Sequence, residues 1–491
     1  MRIDPVATHA RARPDRLAAV DLDSGRRWTW REFDADVARV AGWLADKVGP
    51  GSGERVATLS RNCVWMLVVQ RACERAGVIF VPFNWRLAPR EIDDLIADAE
   101  PAVLFKADEF PSPTGVASVH PLAAIETLFA DAPCPHYARA SAEAPMTLLY
   151  TSGTSGRPKG VMISSANAFW GATNFIHGSA VSGESIFLCD MPLFHVAGLF
   201  AAAGVPLLAG GTVLVSKGFD PVQTLERIAD PTLGITHYFS VPQMAQMLWH
   251  APGFQPAMLS NLVCYATGGA PNPAAQVERF LRAGIPLSDG FGMSETCSNH
   301  AVPIGDPERM IGKAGSCGLP LLSIEQRIVD ANGGDVTIGE VGELWLRGPS
   351  VTAGYWRQPE LTARAFTEGW FRTGDAARCD EDGFTYLVDR MKDMFVSGGE
   401  NVYPAEVEAA IAELIDVTEC AVVGIKNERW GEVGRAYVIG RAGAALDPDA
   451  IRLHCRGRLA GFKIPASIRI VDELPRTASG KVQKHRLDRT P

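Results

Sequence analysis

The sequence predicts an α/β protein: a large N-terminal domain of parallel βαβ sheets plus a β-barrel-like subdomain, with a small α+β domain at the C-terminus. Three observations predict it. Between about residues 28 and 290, short near-continuous apolar runs alternate with amphipathic stretches of helical spacing. After about residue 310 the runs alternate apolar with polar and sit between glycine-rich turns. From about residue 389 a block of about 100 residues carries helices and strands of its own, enough for a separate domain.

In the first region, residues 31–48 have helical spacing, Arg55–Ser60 reads as a strand, Val64–Ala76 as a helix and Val78–Phe83 as a strand. The alternation returns at Thr147–Thr151, Ser185–Cys189, Thr212–Val215, Ile235–Phe239 and Leu262–Ala266. Strands that are apolar throughout and separated by helices imply parallel sheets covered on both faces. In the second region Ser323–Val329, Gly342–Arg347 and Gly383–Asp389 alternate with period two, as an antiparallel or barrel-like sheet requires. The last block reads as helix Pro404–Leu414, strands Glu419–Val423 and Ala436–Gly440, helix Asp447–Leu459, strand Ser467–Val471 and a polar tail. The division is expected after residue 389, giving domains 1–389 and 390–491. Residues 107–144 carry the weakest pattern and are expected to hold a long connection.

With 491 residues the chain exceeds what one hydrophobic core ordinarily organises. Its net charge of −9 argues against a chain-wide nucleic-acid surface, and the basic tail (Lys481, Lys484, His485, Arg486, Arg489) is too short to reverse that. The N-terminus lacks the apolar core of a signal peptide. The longest apolar run, Leu199–Val215, is broken by Gly204, Pro206, Gly210 and Gly211, so it reads as a buried helix, a turn and a strand and not as a membrane span. No two of the ten cysteines have CxxC spacing, so neither a zinc site nor a disulfide framework is expected. A cytoplasmic protein, monomeric or homodimeric, without nucleic-acid partners, is the expectation.

The most informative segment follows the apolar strand ending at Thr151. It runs Tyr150-Thr-Ser-Gly-Thr-Ser-Gly-Arg-Pro-Lys159-Gly-Val-Met162. Gly153, Gly156 and Gly160 let a backbone bend sharply and bring N–H groups to an anion. Thr151, Ser152, Thr154 and Ser155 supply hydroxyl donors, and Lys159 a mobile positive charge. This is not the Gly-x-x-x-x-Gly-Lys-[Ser/Thr] phosphate loop that runs into a helix. Pro158 before the lysine and Gly160 after it predict a flexible loop there. The bland alternative is a Gly/Ser/Thr linker, which rarely carries Pro-Lys-Gly-Val directly after an apolar strand.

The segment resembles the signature of the adenylate-forming (AMP-binding) superfamily, within it the acyl- and aryl-CoA synthetase (ligase) family. Further segments follow in that family's order, so the resemblance spans nearly the whole chain. It implies ATP, Mg²⁺ and CoA as cofactors, a small carboxylic acid as substrate, and a C-terminal domain that is mobile. Asp289-Gly-Phe-Gly-Met-Ser-Glu295 is similar to the family's Tyr-Gly-x-Thr-Glu segment. There Asp289 would accept from the adenine amino group, and Gly290, Phe291, Gly292 and Met293 would form the wall against the nucleotide. Phe291 keeps a stacking ring without a phenol hydroxyl, and Ser294 keeps a hydroxyl for the α-phosphate. Glu295 would hold Mg²⁺, an ion that prefers oxygen ligands, with Thr151 as a second ligand.

The resemblance also implies that Gly269, Ala270 and Pro271 of Thr267-Gly-Gly-Ala-Pro271 line the adenine, although a strand-to-helix turn explains the same residues. His195 of Pro192-Leu-Phe-His195 would border the acyl pocket; by position alone it is equally a core or cap residue before a small-residue helix, Val196–Ala203. Asp375 of Trp370-Phe-Arg-Thr-Gly-Asp375 would accept from both ribose hydroxyls, and is otherwise a turn aspartate. In Asp389-Arg-Met-Lys-Asp393, Arg390 would hold ribose or phosphate and Lys392 would be the hinge. Gly398 and Gly399 would line a thiol tunnel and Asn401 would face the adenylate; a glycine bulge is the structural alternative. Lys481 of Pro475-Arg-Thr-Ala-Ser-Gly-Lys481 would reach the active site during adenylation. Arg86 and Trp430 match segments that touch CoA in some relatives.

The implied reaction is attack of a carboxylate on the α-phosphorus of MgATP, with release of pyrophosphate, then attack of the CoA thiol on the acyl carbon with release of AMP. A carrier-protein thiol, an amine or another nucleophile is the alternative acceptor, although the sequence ends ten residues after Lys481 with no carrier region. A non-catalytic nucleotide-binding protein is a third reading, opposed by the joint presence of Lys159, Glu295, Asp375, Arg390 and Lys481. The residues expected near the acid (Ala197, Gly198, Ala201, Gly268, Met293, Cys297) are small or apolar and favour a neutral aliphatic or aromatic acid. Asn299 and His300 are the polar exceptions.

Overall fold

A computed structural model describes residues 4–128, 141–151, 158–270, 272–390, 393–397, 400–441, 443–476 and 482–490. By compactness the chain divides into two units. The first holds residues 1–272, 276–325 and 347–371; the second holds 273–275, 326–346 and 372–491.

The first unit is built on two sheets. In the nine-stranded sheet the order is Leu319–Pro320, Cys297–Ala301, Leu287–Met293, Cys264–Thr267, His237–Ser240, Ile186–Cys189, Thr212–Val215, Leu17–Asp21, Arg27–Thr29. The six strands from Leu287–Met293 to Leu17–Asp21 are mutually parallel, and antiparallel strands close both ends. The six-stranded sheet has the order Ser118–Pro121, Val103–Lys106, Arg55–Leu59, Ile79–Pro82, Pro145–Thr151, Lys159–Ser164. It is parallel except for its last pair. Helix Trp30–Val48 begins at a capping box, in which the Thr29 hydroxyl accepts from Glu32 N–H and the Glu32 carboxylate accepts from Thr29 N–H. Helix Val64–Ala76 stops at Gly77, which takes the left-handed conformation (φ 69°) that a residue without Cβ adopts at no steric cost. Its buried face joins a core that includes Trp28, Trp30, Phe33, Phe80 and Phe105.

The second unit contains a curled sheet of strands Glu325–Val329, Gly342–Arg347, Trp370–Cys379 and Thr385–Arg390. It also contains an α+β fold in which Val417–Asn427 and Gly431–Gly440 form a long antiparallel hairpin. Phe395–Ser397 and Ser467–Ile470 add to that hairpin, and helices Pro404–Ala412 and Pro448–Arg456 pack with it around Val402, Ile411 and Val438. The predicted α/β architecture is therefore present, with its parallel sheets, barrel-like sheet and C-terminal α+β fold.

Two elements differ in kind from expectation. The segment after His195 is a π-helix over Ala197–Gly204, followed by an α-helix over Val205–Ala209, instead of one regular helix. Residues Lys159–Ser164 form a strand and not a flexible loop. Antiparallel pairing with Pro145–Thr151 on one side, and a hydrogen bond from Trp356 N–H to the Gly160 carbonyl on the other (2.8 Å), outweigh the local preference of a Pro-x-Gly sequence. Gly160 is closely approached there: a Cβ would lie 3.3 Å from both Trp356 Cβ and the Tyr150 ring. Among the described residues no helix is long and apolar enough to cross a membrane, and nine cysteines are free thiols.

Candidate active site

Strand pairing places the two ends of the glycine-rich segment opposite each other, with Thr151 in register with Lys159. The residues between, including Ser152, Gly153, Thr154, Ser155 and Gly156, lie outside the described residues. Thr151 Oγ1 is buried and has no hydrogen-bond partner among the described residues.

Lys159 donates to Glu295 Oε1 at 2.7 Å and to the Tyr355 hydroxyl at 2.9 Å; the Tyr355 hydroxyl lies 3.0 Å from the same carboxylate oxygen. The ammonium sits 4.3 Å from the Tyr355 ring centre, within cation–π range. One proton arrangement satisfies all three groups. An ammonium only donates and a carboxylate only accepts, so the phenol must accept from Lys159 and donate to Glu295. Glu295 is 5% exposed and Lys159 22% by side chain, so the pair is screened far less than a surface pair. Glu295 Oε2 receives no hydrogen bond among the described residues.

Residues 352–356 assemble this group. Thr352 N–H donates to the Glu295 carbonyl (2.7 Å), Met162 N–H to the Gly354 carbonyl (3.1 Å), and Trp356 N–H to the Gly160 carbonyl (2.8 Å). One extended segment thus ties the strand of Lys159 to the loop of Glu295. Sequence reasoning missed Tyr355; its signal was the Gly354-Tyr355-Trp356 run, which stands 196 residues from Lys159.

Strands Cys264–Thr267 and Leu287–Met293 run parallel, with Thr267 in register with Asp289. The Thr267 hydroxyl donates to Asp289 Oδ1 (2.7 Å), and Asn272 Nδ2 donates to Thr267 Oγ1 (3.1 Å). Burial pushes the Asp289 carboxyl up to about 7, against the opposing pull of the Thr267 and Asn272 hydrogen bonds. The glycines here permit backbone contact: a Cβ on Gly268 would lie 2.9 Å from the Gly290 carbonyl oxygen, and one on Gly292 2.3 Å from that of Cys297. Gly269 has φ +83° and is exposed with Ala270, whereas Pro271 lies outside the described residues. Phe291 is buried beside the His300 ring (5.9 Å), while Met293 and Ser294 are half-buried.

Cys297 is buried at φ +54°, a conformation a side chain seldom takes without a compensating constraint. Asn299, expected as a polar recognition group, is fully buried and spends its amide on the Thr296 hydroxyl (2.6 Å). His300 is 2% exposed. His195 is half-buried with its ring 4.6 Å from that of Phe194, directly before the π-helix. Ala197 and Ala201 of that helix pack in one apolar cluster with Phe175 and Phe239.

In the second unit Asp375 is 5% exposed; its N–H donates to the Thr373 hydroxyl (3.0 Å), which donates to the Leu344 carbonyl (2.7 Å). Arg390 lies in register with Asp375 on the neighbouring strand, and Asn401 with Val396. Lys392, Gly398, Gly399 and Lys481 lie outside the described residues. Lys484, three positions beyond Lys481, pairs with Glu408 at 2.8 Å.

Among the described residues no group of three or more His, Cys, Asp or Glu side chains could cage a metal ion. Mg²⁺ takes one or two protein oxygens and fills its shell with phosphates and water. Glu295 Oε2 and the Thr151 hydroxyl, neither of which has a hydrogen-bond partner among the described residues, are suitable oxygens for it.

Residues 6–356 match the model of the AMP-binding enzyme family, and residues 406–481 that of the AMP-binding enzyme C-terminal domain. A feruloyl-CoA synthase from Amycolatopsis is 38% identical over 483 residues, 96% of each chain. An indoleacetate–CoA ligase from Aromatoleum aromaticum is 38% identical over 447 residues, 87% of this chain and 86% of the relative. The o-succinylbenzoate CoA synthetase of Bacillus subtilis, solved with its acyl-adenylate intermediate, superposes with a TM-score of 0.88 at 29% identity, covering 99% of this chain and 98% of that one. These matches span both ends of the chain, and on them the chain belongs to the AMP-binding enzyme family.

Proposed function

We infer that this protein is an AMP-forming acid–thiol ligase: it activates a carboxylic acid with ATP to an acyl-adenylate, releases pyrophosphate, and transfers the acyl group to CoA. The observation that carries this reading is the Lys159–Glu295–Tyr355 group, whose lysine stands on the strand that leaves the glycine-rich segment. Activation at phosphorus is mainly charge neutralisation and positioning. A lysine and a carboxylate held at one point supply the two charges it needs.

The individual roles are proposals. Residues 151–156 and Lys159 hold the β- and γ-phosphates, and Glu295 with Thr151 holds Mg²⁺, which when bound neutralises phosphate charge. Asp289 and the backbone of 269–271 and 290–294 take the adenine and α-phosphate, with Phe291 packed against the ring. Asp375 takes the ribose hydroxyls, and Arg390 assists there. His195 borders the acid. Lys481 neutralises the carboxylate and α-phosphate during adenylation, while Gly398, Gly399 and Asn401 serve thiol transfer after rotation at Lys392. The proposed boundary for that rotation is residue 389/390.

The acid proposed is a neutral aromatic or aliphatic one. The small Ala197 and Ala201 beside Phe175 and Phe239, and relatives named for ferulate and indoleacetate, support it. A cytoplasmic setting and a monomeric or homodimeric state belong to the same proposal.

The test is product analysis with a panel of acids, ATP, Mg²⁺ and CoA, on the wild type and Lys481→Ala. One AMP and one pyrophosphate per acyl-CoA are expected. The variant should lose adenylation yet convert supplied acyl-AMP and CoA. Formation of ADP and phosphate would refute the reading; equal loss of both half-reactions would refute the role of Lys481.

A further inference from the structure

We propose that Asn62 is a positioning residue for acid binding, acting through the loop that carries His195. The proposal rests on the reading that His195 borders the acid.

The loop from Met191 to His195 leaves strand Ile186–Cys189 and runs into the π-helix. Pro192 has no N–H, so a strand ladder cannot continue through it and the stretch must be held another way. The side chain of Asn62 holds it. Its Nδ2 donates to the Met191 carbonyl at 2.9 Å, and its Oδ1 accepts from Leu193 N–H at 2.9 Å. Only one orientation of the amide satisfies both groups. A residue in a parallel strand makes the same pair of bonds, to the residues on either side of its partner. Asn62 therefore acts as a single rung between two sheets: it follows strand Arg55–Leu59 of the six-stranded sheet, and Met191 follows a strand of the nine-stranded one.

The rung is fixed at its base. Two residues after Asn62, helix Val64–Ala76 begins, and Val64 N–H donates to Asp21 Oδ2 at 3.1 Å. From the other side the π-helix closes on the same loop. A Cβ on Gly198 would lie 2.2 Å from the Pro192 carbonyl oxygen and 2.7 Å from that of Met191. His195 is placed by what Asn62 grips: its N–H donates to the Pro192 carbonyl at 3.1 Å, and its carbonyl accepts from Leu199 N–H at 2.9 Å. Asn62 and Leu193 are buried, so loss of the amide leaves a buried C=O and N–H that the loop must move to satisfy. None of this requires Asn62 to touch the acid.

Asn62→Ala tests the proposal in exchange of labelled pyrophosphate into ATP without CoA, driven by benzoate, phenylacetate, cinnamate, hexanoate or octanoate. Displacement of a group that borders the acid predicts about a tenfold higher KM for the acid. The KM for ATP should change by less than about twofold, and on a His195→Ala background the same substitution should add less than about twofold to the acid KM. Asn62→Ser, too short to reach both main-chain groups, should show the same acid-selective loss and keeps the test intact if the alanine variant misfolds. An unchanged acid KM, equal loss for acid and ATP, or full additivity with His195→Ala would overturn the proposal. A His195→Ala variant with the acid KM of the wild type would instead overturn the placement of His195 beneath it, and a wild type that no acid drives would overturn the ligase reading itself.

Discussion

Asp289 is a carboxylate placed where a carboxylate is costly. Burial raises it to about 7, although Thr267 and Asn272 donate hydrogen bonds that partly stabilise its charge. The unfolded chain ionises this group near 3.8, so between about pH 4 and 7 the folded protein holds the extra proton. Stability must then fall as pH rises through that window. Asp289→Asn keeps an acceptor for Thr267 without the charge. It is expected to raise stability over the wild type by about 2–4 kcal/mol more at pH 8 than at pH 5, measured by denaturant titration at both. Identical pH slopes in the two proteins would contradict it. Residues of this kind were only half legible in the sequence. Asp289 and Glu295 stand in one readable motif, but Thr267 and Asn272 lie 22 and 17 positions before Asp289, and Tyr355 lies 60 after Glu295. No periodicity links such distances; only strand register and the 352–356 crossing bring them together.

Elements were more legible where hydrophobicity is continuous. Helix Val64–Ala76 and strands Thr212–Val215 and Gly342–Arg347 have the bounds the pattern predicts. The strand expected at Leu262–Ala266 instead occupies Cys264–Thr267, because Val263 is apolar yet exposed at the turn before it. The π-helix at Ala197–Gly204 was not legible, since alanine and glycine carry no apolar period. Helix Ser165–Gly178 shows how tightly such elements meet: a Cβ at Gly171 would stand 2.4 Å from Cys297 Cβ, on a residue already at φ +54°. Overpacking of that contact predicts that Gly171→Ala lowers stability by about 1–3 kcal/mol, read from the denaturation midpoint. An unchanged midpoint would mean that helix and strand separate freely.

At the scale of the whole molecule, the order of motifs along the chain carried the family, because each places one piece of the same chemistry on a different element. By compactness the curled sheet groups with the C-terminal α+β fold, whereas the texture of the sequence changes again at Asp389. Two sheets of the first unit end in the residues proposed to handle ATP, and the claim that unites them is formation of an acyl-adenylate before any thiol is involved. Carboxylate-dependent exchange of labelled pyrophosphate into ATP, in the absence of CoA, tests it directly. At least one neutral aromatic or aliphatic acid is predicted to drive exchange in the presence of Mg²⁺. Failure of every acid with folded, ATP-binding protein, or exchange that appears only once CoA is added, would contradict the account.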